Sequence, residues 1–294
     1  MIQNILLLAI AGLTIAYLLK NKTSNEGFVP GANDGDDSIS PAADHPSAMV
    51  VAPDDDDPRD IPWIASWSAT DKVARRGQNC MPMHTEVGPH GTTIFTTSKS
   101  CEAGMPHTRA GDRIIIPDSV PLPARDTTIA HELVHIHQRR NPDAWRRFYA
   151  RAWSFQFSIS PPPGLPTSVQ AARRSNPDTW YPEGGGPWAC WMGRWWPVPI
   201  YSNPERPQLR NADVVWWDDW RKTIVRNPPL SWIQFFGSPA QQEHPHEIAA
   251  CIIVSGDRTM EAGRRLLDWW QSTAQTLWSP SPSSVPSRTT EPSA

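Results

Sequence analysis

An α+β domain held behind an N-terminal apolar segment and an acidic linker is the architecture that this 294-residue sequence predicts. Three observations carry it. Residues 2–19 contain only Gln3, Asn4 and Thr14 as polar side chains. Residues 61–125 hold short apolar runs broken by glycine and proline, the pattern of strands. Helical apolar patterns come next, first over 127–152 and again beyond 245, on either side of a stretch rich in Pro and Trp. Strands and helices that are segregated along the chain point to α+β.

At the N-terminus, eighteen helical residues reach about 27 Å, close to the thickness of a bilayer's hydrocarbon core. No basic residue precedes the run, and no small-x-small cleavage site separates it from Lys20 and Lys22. Residues 1–20 therefore read as an uncleaved, single-pass membrane anchor rather than a signal peptide. The two lysines favour a cytoplasmic position for the rest of the chain, but so few charges leave the side of the membrane open. Residues 21–60 combine Gly, Pro and Ser with a run of acids at Asp54, Asp55, Asp56 and Asp57. Such a segment cannot bury enough apolar surface to fold, and reads as a disordered acidic linker. The Ser- and Pro-rich tail, 279–294, reads the same way, which leaves 61–278 as the folded domain.

The formal charge is −3, and ten acidic against three basic residues between 20 and 60 account for more than all of it. The remainder is weakly positive without a basic run, so no nucleic-acid footprint is present. Within the domain, residues 92–96 and 113–116 are expected strands. Asp126 or Thr127 can cap a helix running to about Arg140, where Asn141-Pro142 ends it and Pro142 opens the next. That next helix places Trp145, Phe148, Tyr149 and Ala152 on one apolar stripe. Residues 160–240 offer only short candidate strands such as 214–217, and helices return at 245–254 and 260–278. Cys80 and Cys101 could bridge the ends of a hairpin-like segment, although unpaired buried thiols are the commoner state. The four cysteines contain no Cys-x-x-Cys spacing, which argues against a thiolate zinc knuckle.

His131-Glu132-Leu133-Val134-His135 matches His-Glu-x-x-His on a helix, the context that this motif requires. At about 100° per residue the two histidines lie some 40° apart, so both imidazoles can face one zinc ion (Zn2+). Glu132 projects beside them as a general base. From the chain's own His and Glu frequencies the pattern arises by chance in about 1% of comparable sequences. His137 falls on the opposite helix face from His135 and is expected to pack or lie at the surface. Asn141 stands where the extended pattern His-Glu-x-x-His-x-x-Gly-x-x-His requires its third histidine, which excludes that subclass.

Downstream, His244-Pro245-His246-Glu247 places Glu247 in the first turn of a helix, followed by Ala249 and Ala250, which permit close packing on a neighbour. Together with the upstream motif this resembles the gluzincin metallopeptidases, whose third metal ligand is a Glu on a later helix, often in a Glu-x-x-Ala context. The resemblance implies a zincin-like fold, His131, His135 and Glu247 as zinc ligands, Glu132 as the catalytic base, and a protein or peptide substrate. Glu243, His244 and His246 remain rivals to Glu247, and Cys251 lies one turn beyond it on the same face. The resemblance also implies an edge strand beside the cleft, near His107 or residues 113–116, that binds substrate by strand addition. Tyr181, Tyr201, Arg173 and His246 are candidates for stabilising the oxyanion. The stretches 107–139, 173–178 and 244–250 also resemble metallopeptidases encoded by large DNA viruses. The other reading open at this point is a non-catalytic, membrane-anchored structural or binding protein that retains the zinc site and uses its Trp-rich surface for contact.

Overall fold

The computed structural model describes residue 58 and residues 60–179, 186–237 and 243–277. The expected anchor, nearly all of the expected linker and the expected tail lie outside these residues. Among the described residues no helix is long and apolar enough to cross a membrane. The fold is mixed α+β, with two sheets and a set of helices between and around them.

Asp60, the last residue assigned to the linker, belongs to the folded domain. Its buried carboxylate accepts from Ala110 N at 3.2 Å and pairs with Arg113 at 2.6 Å. Two short helices follow, α1 (Ile61–Ala65) and α2 (Ala69–Ala74). Ser68 and Asp71 form a reciprocal capping box that starts α2.

The first sheet has the order β1 (Pro82–Val87), β2 (Thr93–Thr97), β4 (Arg113–Pro117), β3 (His107–Arg109). β1 is an exposed edge strand, whereas β4 is interior, between β2 in parallel and β3 antiparallel. The expectation that residues 113–116 form an edge is therefore corrected. Their side chains explain the placement: Ile114, Ile115 and Ile116 are all buried, and a strand this apolar on both faces belongs inside a sheet. Cys80 and Cys101 are joined in a disulfide rather than left as free thiols. The antiparallel register that sets Pro82 opposite Thr97 brings the chain just outside the hairpin's open end together.

The motif helix α3 (Leu122–Arg140) begins before the expected cap. Pro121 takes the cap position and Pro123 fits the first turn, so Asp126 and Thr127 lie inside the helix. It ends as expected at Asn141, whose side chain donates to His137 O at 3.0 Å, and Pro142 opens α4 (Pro142–Ala152). Trp145, Phe148 and Tyr149 of α4 are buried as their spacing requires, with Ala152 packed against the same core.

The middle of the chain is far more regular than the sequence suggests. It forms a second, antiparallel sheet with the order β5 (Phe155–Ser158), β6 (Trp188–Trp191), β7 (Trp195–Tyr201), β8 (Ala212–Asp218), β9 (Thr223–Val225), with a short helix α5 (Thr167–Ala171) beside it. Pro197 and Pro199 sit within β7, where they hide the strand from a propensity reading. One face of this sheet buries Trp191 and Trp216 against Trp145, Trp153 and Trp232 of the neighbouring helices. Helices α6 (Leu230–Phe236), α7 (Pro245–Ser255) and α8 (Glu261–Leu277) complete the domain. Many of the tryptophans thus serve the core.

Candidate metal centre

Helix α3 uses its circumference in distinct ways. Ile129, Leu133 and Ile136, spaced four and three residues apart, pack onto Ile94, Ile114 and Ile116 of the first sheet. Val134 joins the tryptophan core, and His137 accepts a hydrogen bond from Trp145 Nε1 at 2.9 Å, so it is a packed histidine. The face turned away from the sheet carries His131, His135 and Gln138, and there α7 lies alongside. Ala249 and Ala250 of α7 are fully buried, so the two helices approach closely.

His244 starts α7 by accepting from His246 N at 3.3 Å, Pro245 occupies the first turn, and Gly256 ends the helix at φ 66°. Glu247 is thereby fixed in the first turn and aimed at α3. Its Oε2 lies 3.3 Å from His131 Nε2 and its Oε1 3.5 Å from His135 Nε2, while the two Nε2 atoms are 3.1 Å apart. Donors held about 2.0–2.2 Å from one tetrahedral ion would be about 3.3–3.6 Å from one another. The three side chains that the sequence nominates as ligands therefore stand at nearly the spacing that one small cation requires.

The hydrogen-bonding roles agree. Gln138 Nε2 donates to the main-chain oxygen of His246 at 3.1 Å and to Tyr149 Oη at 3.1 Å. Because a carbonyl only accepts, this fixes the amide so that Gln138 Oε1 faces His135 Nδ1 at 2.9 Å. His135 must then carry its proton on Nδ1 and present a bare Nε2 to the centre. Glu247 is held by Asn176, whose Nδ2 donates to Oε1 at 2.9 Å. Acceptors converge on one point, and the donor set of two imidazoles and a carboxylate suits zinc. The side chain of His131 is 23% exposed, against 0% for His135 and 9% for Glu247, so the centre opens to solvent on the His131 side.

The electrostatics favour positive charge here. Burial opposes ionisation of Glu247, but the two imidazoles outweigh it and hold its carboxyl well below the usual range. Burial likewise opposes protonation of His135, yet Glu247 and Asp178 draw it upward. His131 is pulled up against its burial by Cys251 and Glu247, which places the Cys251 thiol beside that ring.

Glu132 points to the side of α3 shared with Arg139, which reaches Thr108 O, Arg109 O and Pro177 O. Glu132 is buried, and its Oε2 has no hydrogen-bond partner. Burial first, and then the charge of Asp178, raise its affinity for a proton. Asp178 follows Pro177 in a short 3-10 turn and accepts from Thr108 N at 2.7 Å and Thr108 Oγ1 at 2.5 Å. Glu132, His135 and Asp178 also have potential ligand atoms within 4.8 Å of one another. His135 has a single bare nitrogen to give, and it stands with His131 and Glu247 at mutual distances of 3.1 to 3.5 Å, so that grouping is the better fit.

The remaining nominees are placed elsewhere. Glu243 pairs with Arg174. The His246 ring is buried, stacked 5.8 Å from Phe157, with Tyr149 beside it. His107 is buried, its Nδ1 3.1 Å from Met105 O, and lines no open cleft. Tyr201 donates to Asp71 at 2.7 Å in a separate buried cluster, Arg173 lines a pocket against Trp188, and Tyr181 lies outside the described residues. Gln138, Asn176 and Asp178 were not nominated from sequence. Asn176-Pro177-Asp178 reads as ordinary turn chemistry, and only the fold reveals that the turn leans on the centre.

That turn is clamped from behind. Arg75 donates to Asp71, to both oxygens of Glu102 at 3.0 Å, and to Ser175 O at 2.9 Å, while Ser175 N donates back to Asp71. The backbone immediately before Asn176 is thus tied to a buried ion cluster. Comparison with protein-family models, with curated proteins and with solved structures finds no match for the chain.

Proposed function

We propose that the protein is a gluzincin-like, zinc-dependent metallopeptidase, tethered through its N-terminal apolar segment and acting on a protein or peptide. The observation that carries this reading is the convergence of His131, His135 and Glu247 at mutual distances of 3.1 to 3.5 Å, with Glu132 beside them.

His131 Nε2, His135 Nε2 and a Glu247 oxygen would hold the ion. When bound, zinc supplies a Lewis acid that lowers the pKa of a coordinated water to about 7. Glu132 would serve as the general base, with its unpartnered Oε2 as the atom that accepts a proton and later delivers it to the leaving amine nitrogen. Gln138 and Asn176 orient the ligands, and the opening beside His131 gives substrate an approach.

The experiment is a peptide-cleavage assay with zinc content measured in parallel on wild type and Glu132→Gln. The reading requires cleavage by wild type, its loss in the variant by a factor of about 10³ or more, and zinc retained in both. Equal cleavage by the two proteins would remove Glu132 from the chemistry. A protein that holds zinc yet cleaves no peptide would favour the non-catalytic, membrane-anchored binding protein.

A further inference from the structure

Arg173 is the second place where the fold leaves chemistry unanswered. The other two buried arginines among the described residues have acidic partners: Arg75 contacts Asp71 and Glu102, and Arg109 contacts Glu102 at 3.7 Å. Arg173 is 6% exposed, its Nε has no hydrogen-bond partner, and no carboxylate among the described residues lies within ion-pair distance. Its guanidinium lies over the Trp188 ring, 4.5 Å from the centroid. Burial draws its pKa down to about 10, more than the pull of Asp71 and Glu243 beyond ion-pair distance can offset.

This side chain borders a pocket of about 410 Å³ between α1 and the start of the second sheet. The walls are apolar at Pro62, Ile159, Pro161 and Pro187, with few polar groups. The two serine hydroxyls among them are already committed, and Gln170 uses one of its two amide hydrogens. Ser66 Oγ donates to Trp63 O at 2.6 Å, Ser68 Oγ donates to Arg173 O at 2.8 Å, and Gln170 Nε2 donates to Leu165 O at 2.8 Å. A hydroxyl has one hydrogen to give, so the serines cannot also donate to a ligand.

We infer that this pocket binds a monocarboxylate with a small apolar body, with Arg173 as the recognition residue. One guanidinium supplies a single charge and a planar pair of donors, which matches one carboxylate held bidentately. A phosphate dianion would leave charge and acceptor capacity unmet. The indole of Trp188 keeps the guanidinium plane in place, and the proline-lined walls accept the apolar body. A buried cation without a partner is destabilising, so the bound carboxylate supplies the missing half of an ion pair. The metal centre takes no part in this binding.

The test uses the full chain and N-acetyl-leucine as probe, followed by calorimetric titration and thermal unfolding. N-acetyl-leucine should bind saturably and raise Tm, and its uncharged amide should bind at least tenfold more weakly. Inorganic phosphate should give the smaller shift of the two anions. Arg173→Met should abolish the response to the carboxylate at little cost to the Tm of the ligand-free protein, because it removes a buried charge with no carboxylate in ion-pair contact. Equal binding of the acid and its amide would overturn the inference, and that comparison needs no variant. No saturable binding of the acid, a larger shift with phosphate, or an unchanged response in Arg173→Met would overturn it as well.

Discussion

Gln138 accepts the Nδ1 proton of His135 at 2.9 Å while its own amide donates to His246 O on the helix that carries Glu247. One side chain therefore sets the tautomer of a proposed ligand and registers the two helices of the candidate centre against each other. Removing such a partner lowers metal affinity by about 10- to 100-fold. Gln138→Leu is expected to fall in that range in competition with a chelator, and Asn176→Ala, which frees Glu247 Oε1, toward its lower end. An unchanged affinity in Gln138→Leu would mean that the amide does not orient the ligand.

The buried cluster that backs the site gives an acid signature. Burial disfavours the charged form of Glu102, yet Arg75 and Arg109 outweigh it and hold its carboxyl down at about 2, below its ordinary 4.5. Its contribution is fully present above 4.5 and is lost as pH falls through 2. Glu102→Gln should lower stability at pH 7 by about 3 kcal/mol, because Arg75 and Arg109 each lose one buried ion-pair partner. Urea unfolding should show this difference shrinking toward zero at the acid end.

His107 covers a different window. Burial and then Arg109 depress its pKa from 6.5 to about 4, so the folded state keeps it neutral where an unfolded chain would protonate it. The unfolded state binds more protons between those values, and stability is lost as pH falls through them. A neutral replacement, His107→Asn, should flatten the stability profile between pH 6.5 and 4 while leaving the lower window intact.

The Cys80–Cys101 disulfide closes a loop of 21 residues around the β1–β2 hairpin. Chain-entropy reasoning gives about 3 kcal/mol for a loop of this size. Reduction, or the double Ser variant, should lower Tm. Zinc affinity should change far less than stability, since neither cysteine touches α3 or α7.

The sequence made the centre legible where local pattern and chemistry coincide. His-Glu-x-x-His reports its own geometry because four residues make slightly more than one helical turn, and Glu247 could be nominated because a first-turn Glu followed by small residues implies a close helix partner. Gln138 was invisible because its role depends on His246 O, 108 residues away. Asp178 and Asn176 were hidden in turn chemistry that is common everywhere. The second sheet escaped because Pro197 and Pro199 lie within β7, and strand propensity cannot foresee that two prolines fit a ladder. The early start of α3 escaped for a related reason: Pro121 and Pro123 suit a helix's first turn but also read as breakers.

The most direct test of the central claim is elemental analysis of the purified full chain, wild type beside His135→Ala. The account predicts about one zinc per chain in the wild type and none in the variant. A metal-free wild type, or zinc retained equally by both, would contradict the assignment of His131, His135 and Glu247 as a metal centre.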